Sequence, residues 1–147
     1  MIRVLVIDDE PRLCRFLCDS LWLMGCAVKA AGTGEEGVEL LSKEEFDVVI
    51  CDILMPGYGG IWTLEWIKNR CPLTEVIMIT GYANTESAEV CRSLGAFSYM
   101  TKPFEIQDLR DEIGRAFDLR RRKAVALGDD AERTVDTSLQ AVQGERR

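Results

Sequence analysis

Short apolar runs alternate along the chain with amphipathic stretches. Runs rich in β-branched residues stand at 2–7 (IRVLVI), 26–30 (CAVKA), 47–51 (DVVIC), 75–79 (EVIMI) and 97–101 (FSYMT), each of strand length. The first, third and fourth are nearly continuous, which predicts strands covered on both faces, as in a parallel sheet. Helical spacing covers 11–24, 34–43, 60–70 and 84–94, with a last helix from 105. Leu13, Phe16, Leu17, Leu21 and Met24 give the first helix an apolar stripe. Five βα units in alternation predict an α/β fold: a doubly wound, five-stranded parallel sheet in a three-layer sandwich, with its first strand central. The punctuation agrees. Pro11 sits at a helix start, Gly32 and Gly34 break the second loop, MPGYGG fills the third, and Gly95 closes the fourth helix.

The fifth helix carries Ile106, Leu109, Ile113 and Ala116, then runs into RRRK at 120–123. Gly128, followed by Asp129 and Asp130, reads as a stop and a new start. Beyond it Val135, Leu139 and Val142 make a thin apolar stripe. The expected division is a main domain over 1–120 and an extension over 121–147. The extension is a frayed helix, a dimerising helix or a linker, with disorder as the default.

Composition changes this picture little. At 147 residues, 47% apolar and 29% charged, the chain has the make-up of one globular domain. Its opening, MIRVLVIDDE, lacks the apolar stretch of a signal peptide, and no run reaches the length of a membrane span, so a cytoplasmic location is expected. Charge is uneven. From Leu119 onward seven Arg/Lys face five Asp/Glu, leaving eleven against twenty before it, or −9. A domain this acidic is not expected to bind nucleic acid or membrane; proteins and cations are the expected partners.

The six cysteines are scattered without a CxxC pair, and they read as structural thiols. Cys14 and Cys18 share a helix face, but with no histidine they make a poor zinc site. The chain has no histidine at all. That excludes Ser-His and Cys-His catalysis, and any phosphohistidine of its own.

In open α/β sheets, ligands bind beyond the carboxyl ends of the strands. After the first predicted strand come Asp8 and Asp9, and after the third Asp52. Thr80 and Gly81 follow the fourth, and Lys102 and Pro103 the fifth. Each has a bland reading alone. Asp8 and Asp9 before Glu10 and Pro11 could favour a helix N-terminus, Asp52 could open a turn, Thr80 could bond to backbone, and Lys102 could be solvated. Together they place three carboxylates, a hydroxyl and an ammonium on one rim. Crowded carboxylates must protonate or meet a cation. Hard oxygen donors in an open cluster suit Mg²⁺, leaving one carboxylate as a nucleophile toward a phosphoryl group.

The motifs VLVIDDE, VVICDILMPGYGG, VIMITGYA and AFSYMTKPF resemble the receiver domain of bacterial two-component response regulators over residues 2 to about 120. The stretch ITGYANTESAEVCRSLGAFSYMTKPF is most similar to receivers attached to enhancer-binding transcriptional activators. The resemblance implies a flavodoxin-like (βα)5 sandwich with Asp52 as phosphoacceptor and Asp8 and Asp9 as an acidic pair. It implies Mg²⁺ on Asp9, Asp52 and the Leu54 backbone carbonyl, with Asp8 beside them. Thr80 would turn toward the phosphoryl group, Tyr99 would swing inward behind it, and Lys102 would pair with a phosphoryl oxygen. Pro103 matches a proline after a cis peptide. The implied donor is a sensor histidine kinase or phosphotransfer protein. The implied output is a changed helix 4–strand 5–helix 5 face, open to homodimerisation or effector binding, without turnover of a substrate.

Leu54 and Tyr82, two residues past Asp52 and Thr80, are neither acids nor amides that would orient water. Slow self-dephosphorylation is therefore expected. Two other readings stay open on sequence. An aspartate-dependent phosphohydrolase of the haloacid dehalogenase type would need D-x-D where Asp8, Asp9 and Glu10 stand. A flavodoxin-like FMN binder would need hydroxyls and backbone N–H groups where DDEP stands.

Overall fold

A computed structural model describes the backbone of residues 1–142 and the side chains of residues 1–128. The elements alternate: β1 (Arg3–Ile7), α1 (Pro11–Leu23), β2 (Ala27–Ala31), α2 (Gly34–Lys43), β3 (Val48–Asp52), α3 (Gly59–Arg70), β4 (Glu75–Thr80), α4 (Thr85–Ser93), β5 (Ser98–Thr101) and α5 (Ile106–Val142). All neighbouring strands pair in parallel, in the order β2-β1-β3-β4-β5. β1 is interior as expected, but β3 is the middle strand.

Strand residues alternate between two cores, because successive side chains point to opposite faces. Val4, Val6, Val48, Ile50, Ile77 and Ile79 pack with Leu17 and Leu21 of α1 and Leu109, Ile113 and Ala116 of α5. Leu5, Ile7, Val49, Cys51, Val76 and Met78 face the other way, against Leu41, Leu64, Ile67 and Cys91 of α2, α3 and α4. Every residue of β3 and β4 is buried. That explains their unbroken apolar runs and the three-layer doubly wound architecture.

Local chemistry sets the helix ends. Pro11 opens α1 behind the N-cap Glu10, where its missing N–H costs nothing. Thr33 caps α2 by accepting the Glu36 amide, and Asn84 caps α4 by accepting the Ser87 amide. Gly25 and Gly95 end α1 and α4 with φ of 94° and 98°, a conformation glycine adopts without strain.

Gly128 does not stop the fifth helix, which continues to Val142. Gly128 is not among the described glycines with positive φ, so the left-handed cap that ends a helix does not form there. A lone helical glycine costs only about 1 kcal/mol relative to alanine. The RRRK segment is also anchored. Arg120 reaches Asp47 and Glu45 (both 3.3 Å), and Lys123 reaches the buried Glu75 (2.9 Å). The side chains of Val135, Leu139 and Val142 lie outside the described residues.

Candidate functional site

The parallel sheet brings the carboxyl ends of β1, β3, β4 and β5 to one edge, and the predicted rim gathers there. Asp8 follows β1 and is tied to β2 by its amide bond to the Ala31 carbonyl (3.1 Å). Asp52 and Thr80 are the last residues of β3 and β4, one place further into the strands than the pattern predicted. Lys102 follows β5, its amide bonded to the Thr80 carbonyl (2.8 Å). The Lys102–Pro103 peptide is cis.

Asp8 and Asp52 are buried, whereas Asp9 is exposed, and one carboxylate oxygen from each lies within 4.8 Å of the other two. Lys102 Nζ sits 2.9 Å from Asp8 Oδ2, 2.9 Å from Glu10 Oε1 and 3.3 Å from Asp52 Oδ2. The Leu54 amide approaches Asp52 Oδ1 at 3.4 Å. Asp8 Oδ1 accepts the Glu10 amide (2.9 Å), so Asp8 fixes the start of α1 from within the loop rather than as its cap. Asp8 Oδ2 has the Lys102 charge beside it but no hydrogen bond.

This crowding sets the protonation chemistry. Burial, and then the charge of Asp8, push the Asp52 carboxyl above its ordinary range; Lys102 and the Leu54 amide offset part of this. Burial works against the Lys102 ammonium, but the carboxylates of Asp8, Glu10 and Asp52 around it outweigh this and hold it protonated. A buried carboxylate oxygen without a hydrogen-bond donor, inside an all-oxygen cluster, fits a hard divalent cation.

The switch candidates sit beside the cluster. The Thr80 hydroxyl accepts the Tyr82 amide (3.1 Å). Tyr99 is half-buried, with its hydroxyl 2.7 Å from that of Ser87 and accepting the Asn84 amide (3.3 Å). The Leu54 and Tyr82 side chains are exposed. Pattern reading missed the Glu10–Lys102 pair and the tie from Tyr99 to α4. The only sequence hint was a third acid directly after Asp8 and Asp9.

All six cysteines are free, and Cys14 donates through Sγ to the Asp8 carbonyl (3.2 Å). No helix among the described residues is long and apolar enough to cross a membrane.

Comparison with known proteins agrees with this geometry. Residues 4–114 match the family model described as response regulator receiver domain. Response regulator protein PilR of Pseudomonas aeruginosa is 34% identical over 122 residues, covering 83% of this chain and 27% of the relative. Regulatory protein AtoC of Escherichia coli is 35% identical over 121 residues, covering 82% of this chain and 26% of the relative. This chain thus spans about a quarter of the length of both relatives. A receiver domain structure from Methanospirillum hungatei superposes with a TM-score of 0.81 at 29% identity, covering 84% of this chain and 98% of that one. The acidic pocket fits a phosphoacceptor site with Mg²⁺, and the phosphohydrolase and flavin readings fall away. With its family model, relatives and strand-end cluster in agreement, the chain belongs to the response regulator receiver domains.

Proposed function

We propose that Asp52 is the phosphoacceptor, taking a phosphoryl group from a histidine kinase or phosphotransfer protein. The observation that carries this reading is the placement of Asp52: a buried carboxylate at the end of the middle strand, 3.3 Å from the Lys102 ammonium and beside two further carboxylates. An Asp52 oxygen attacks phosphorus as the bond to the donor's imidazole nitrogen breaks, and that nitrogen keeps the electron pair. Asp52 then carries an acyl phosphate.

Asp9, Asp52 and the Leu54 carbonyl would hold Mg²⁺, with Asp8 beside them; bound there, it would offset the carboxylates and the incoming phosphoryl oxygens. Lys102 donates to a phosphoryl oxygen. Thr80 releases the Tyr82 amide and turns its hydroxyl toward the phosphoryl group, and Tyr99 moves into the space left behind. The result is a changed α4–β5–α5 face, suited to homodimerisation or effector docking. In this reading the domain signals from the cytoplasm and turns over no substrate. Residues 1–120 form the receiver, and residues 121–147 are an extension or linker, of which α5 takes in 121–142.

Beryllofluoride, a phosphoryl mimic, tests the site without a donor protein. Calorimetric titration in Mg²⁺ is expected to give one bound per wild-type chain and none for Asp52→Asn or without Mg²⁺. Equal binding by wild type and Asp52→Asn would place the phosphoacceptor elsewhere.

A further inference from the structure

Lys102 is held by three carboxylates, and one of them has no role in the scheme above. Glu10 Oε1 accepts a hydrogen bond from Lys102 Nζ at 2.9 Å. Glu10 is the N-cap of α1, yet its side chain makes no capping bond. Its carboxylate therefore serves Lys102 rather than the helix. Its backbone is set by Pro11 behind it and by its amide bond to Asp8 Oδ1 (2.9 Å). Glu10 also lies outside the group of three acids that could share a metal.

The three partners differ in what their release would cost. Lys102 Nζ donates hydrogen bonds to Glu10 and Asp52, and the Asp8 carboxylate lies beside it as an ion pair. Turning Nζ toward a phosphoryl oxygen on Asp52 draws it away from the contacts it holds now. The Asp8 side chain is 0% exposed, so it would be left buried without its counter-charge, whereas Asp52 itself carries the phosphoryl group that Lys102 turns toward. The Glu10 side chain is 63% exposed, and water can replace the lysine there at little cost.

We propose that Glu10 is a positioning residue that acts through Lys102, holding the ammonium toward solvent until a phosphoryl group displaces it. The inference rests on the phosphoacceptor reading and goes beyond it, because it makes Glu10 a brake on phosphoryl capture. The sequence places it next to the acidic pair, but the fold supplies its partner.

Beryllofluoride titration of Glu10→Gln in Mg²⁺ tests this. Freed from Glu10, Lys102 is expected to bind the mimic about three- to fivefold more tightly than in wild type, the range of an exposed ion pair. The gain should vanish when Glu10→Gln is made in a Lys102→Gln background, since the effect runs through that ammonium. Mg²⁺ affinity, titrated without beryllofluoride, should stay close to wild type. No gain in the single variant, or the same gain in both backgrounds, would overturn the assignment. So would a loss of about tenfold or more in Mg²⁺ affinity, which would make Glu10 part of the metal's support. A wild type that takes up no beryllofluoride would overturn the phosphoacceptor reading itself, so the two failures are told apart.

Discussion

The Tyr99 hydroxyl stands 2.7 Å from the Ser87 hydroxyl, so a single side chain fastens β5 to the first turn of α4. The same oxygen accepts the amide of Asn84, the residue that caps α4. The proposed inward movement of Tyr99 would break both bonds and so couple the conformation of β5 to the stability of the α4 N-terminus. Ser87→Ala is expected to cost about 1 kcal/mol of stability and to speed amide exchange across 84–88. It should also tighten beryllofluoride binding by releasing Tyr99. Exchange rates identical to wild type would show that the tie carries no coupling.

Asp52 makes stability depend on pH in a definite direction. Its folded-state pKa is raised, by burial first and Asp8 second. Protonated Asp52 therefore favours folding below the ordinary carboxylate pKa, and that advantage is lost as pH rises through the folded value. Without divalent metal, Asp52→Asn is expected to melt higher than wild type at pH 7. The gap should close as pH falls toward 4. Thermal melts of both proteins in chelator across that range check this, and a gap that widens on acidification would contradict it.

Much of this site was legible in the sequence. Asp8, Asp9, Asp52, Thr80 and Lys102 follow runs whose unbroken apolar character marks buried parallel strands, and buried strands end on a common edge. What sequence could not show depends on side-chain reach. Glu10 and Lys102 stand 92 positions apart, and only the sheet order brings them together. The Tyr99–Ser87 bond depends on how α4 lies across β5, which no spacing encodes. Gly128 misled for a simple reason: glycine ends a helix by adopting a left-handed backbone, and residue type alone does not say whether it does. The middle place of β3 is likewise a property of crossovers, not of local pattern.

If Asp52 is the phosphoacceptor, Leu54 and Tyr82 are placed to bear on the lifetime of the phosphorylated state. Each follows a site residue by two positions, its amide facing Asp52 or Thr80 and its side chain exposed. Neither is an acid or amide that would aim water at an acyl phosphate. Wild type is expected to lose its phosphoryl group about tenfold more slowly than Leu54→Asn or Tyr82→Glu. A wild-type half-life of seconds in Mg²⁺ buffer, or one no longer than the variants', would refute this.

Gly60 sets the seat of Asp52 through backbone contact. A Cβ there would lie 2.0 Å from the Asp52 carbonyl oxygen and 2.6 Å from Ile53 Cα. Neither is a flexible chain end that can swing away. The Gly60 amide also donates to the Ile53 carbonyl (2.9 Å), closing the turn from β3 into α3. Gly60→Ala is expected to destabilise the domain by about 3 kcal/mol and to weaken beryllofluoride binding as Asp52 shifts. A denaturant midpoint equal to wild type would show that the turn tolerates the methyl group.

Covalent phosphorylation of Asp52 is read by intact mass. The protein is incubated with Mg²⁺ and acetyl phosphate beside an Asp52→Asn variant. One added phosphoryl group is expected on the wild type, removed by neutral hydroxylamine and absent from the variant. A wild type that stays unmodified with acetyl phosphate and with a phosphohistidine donor, while still binding Mg²⁺, would contradict it.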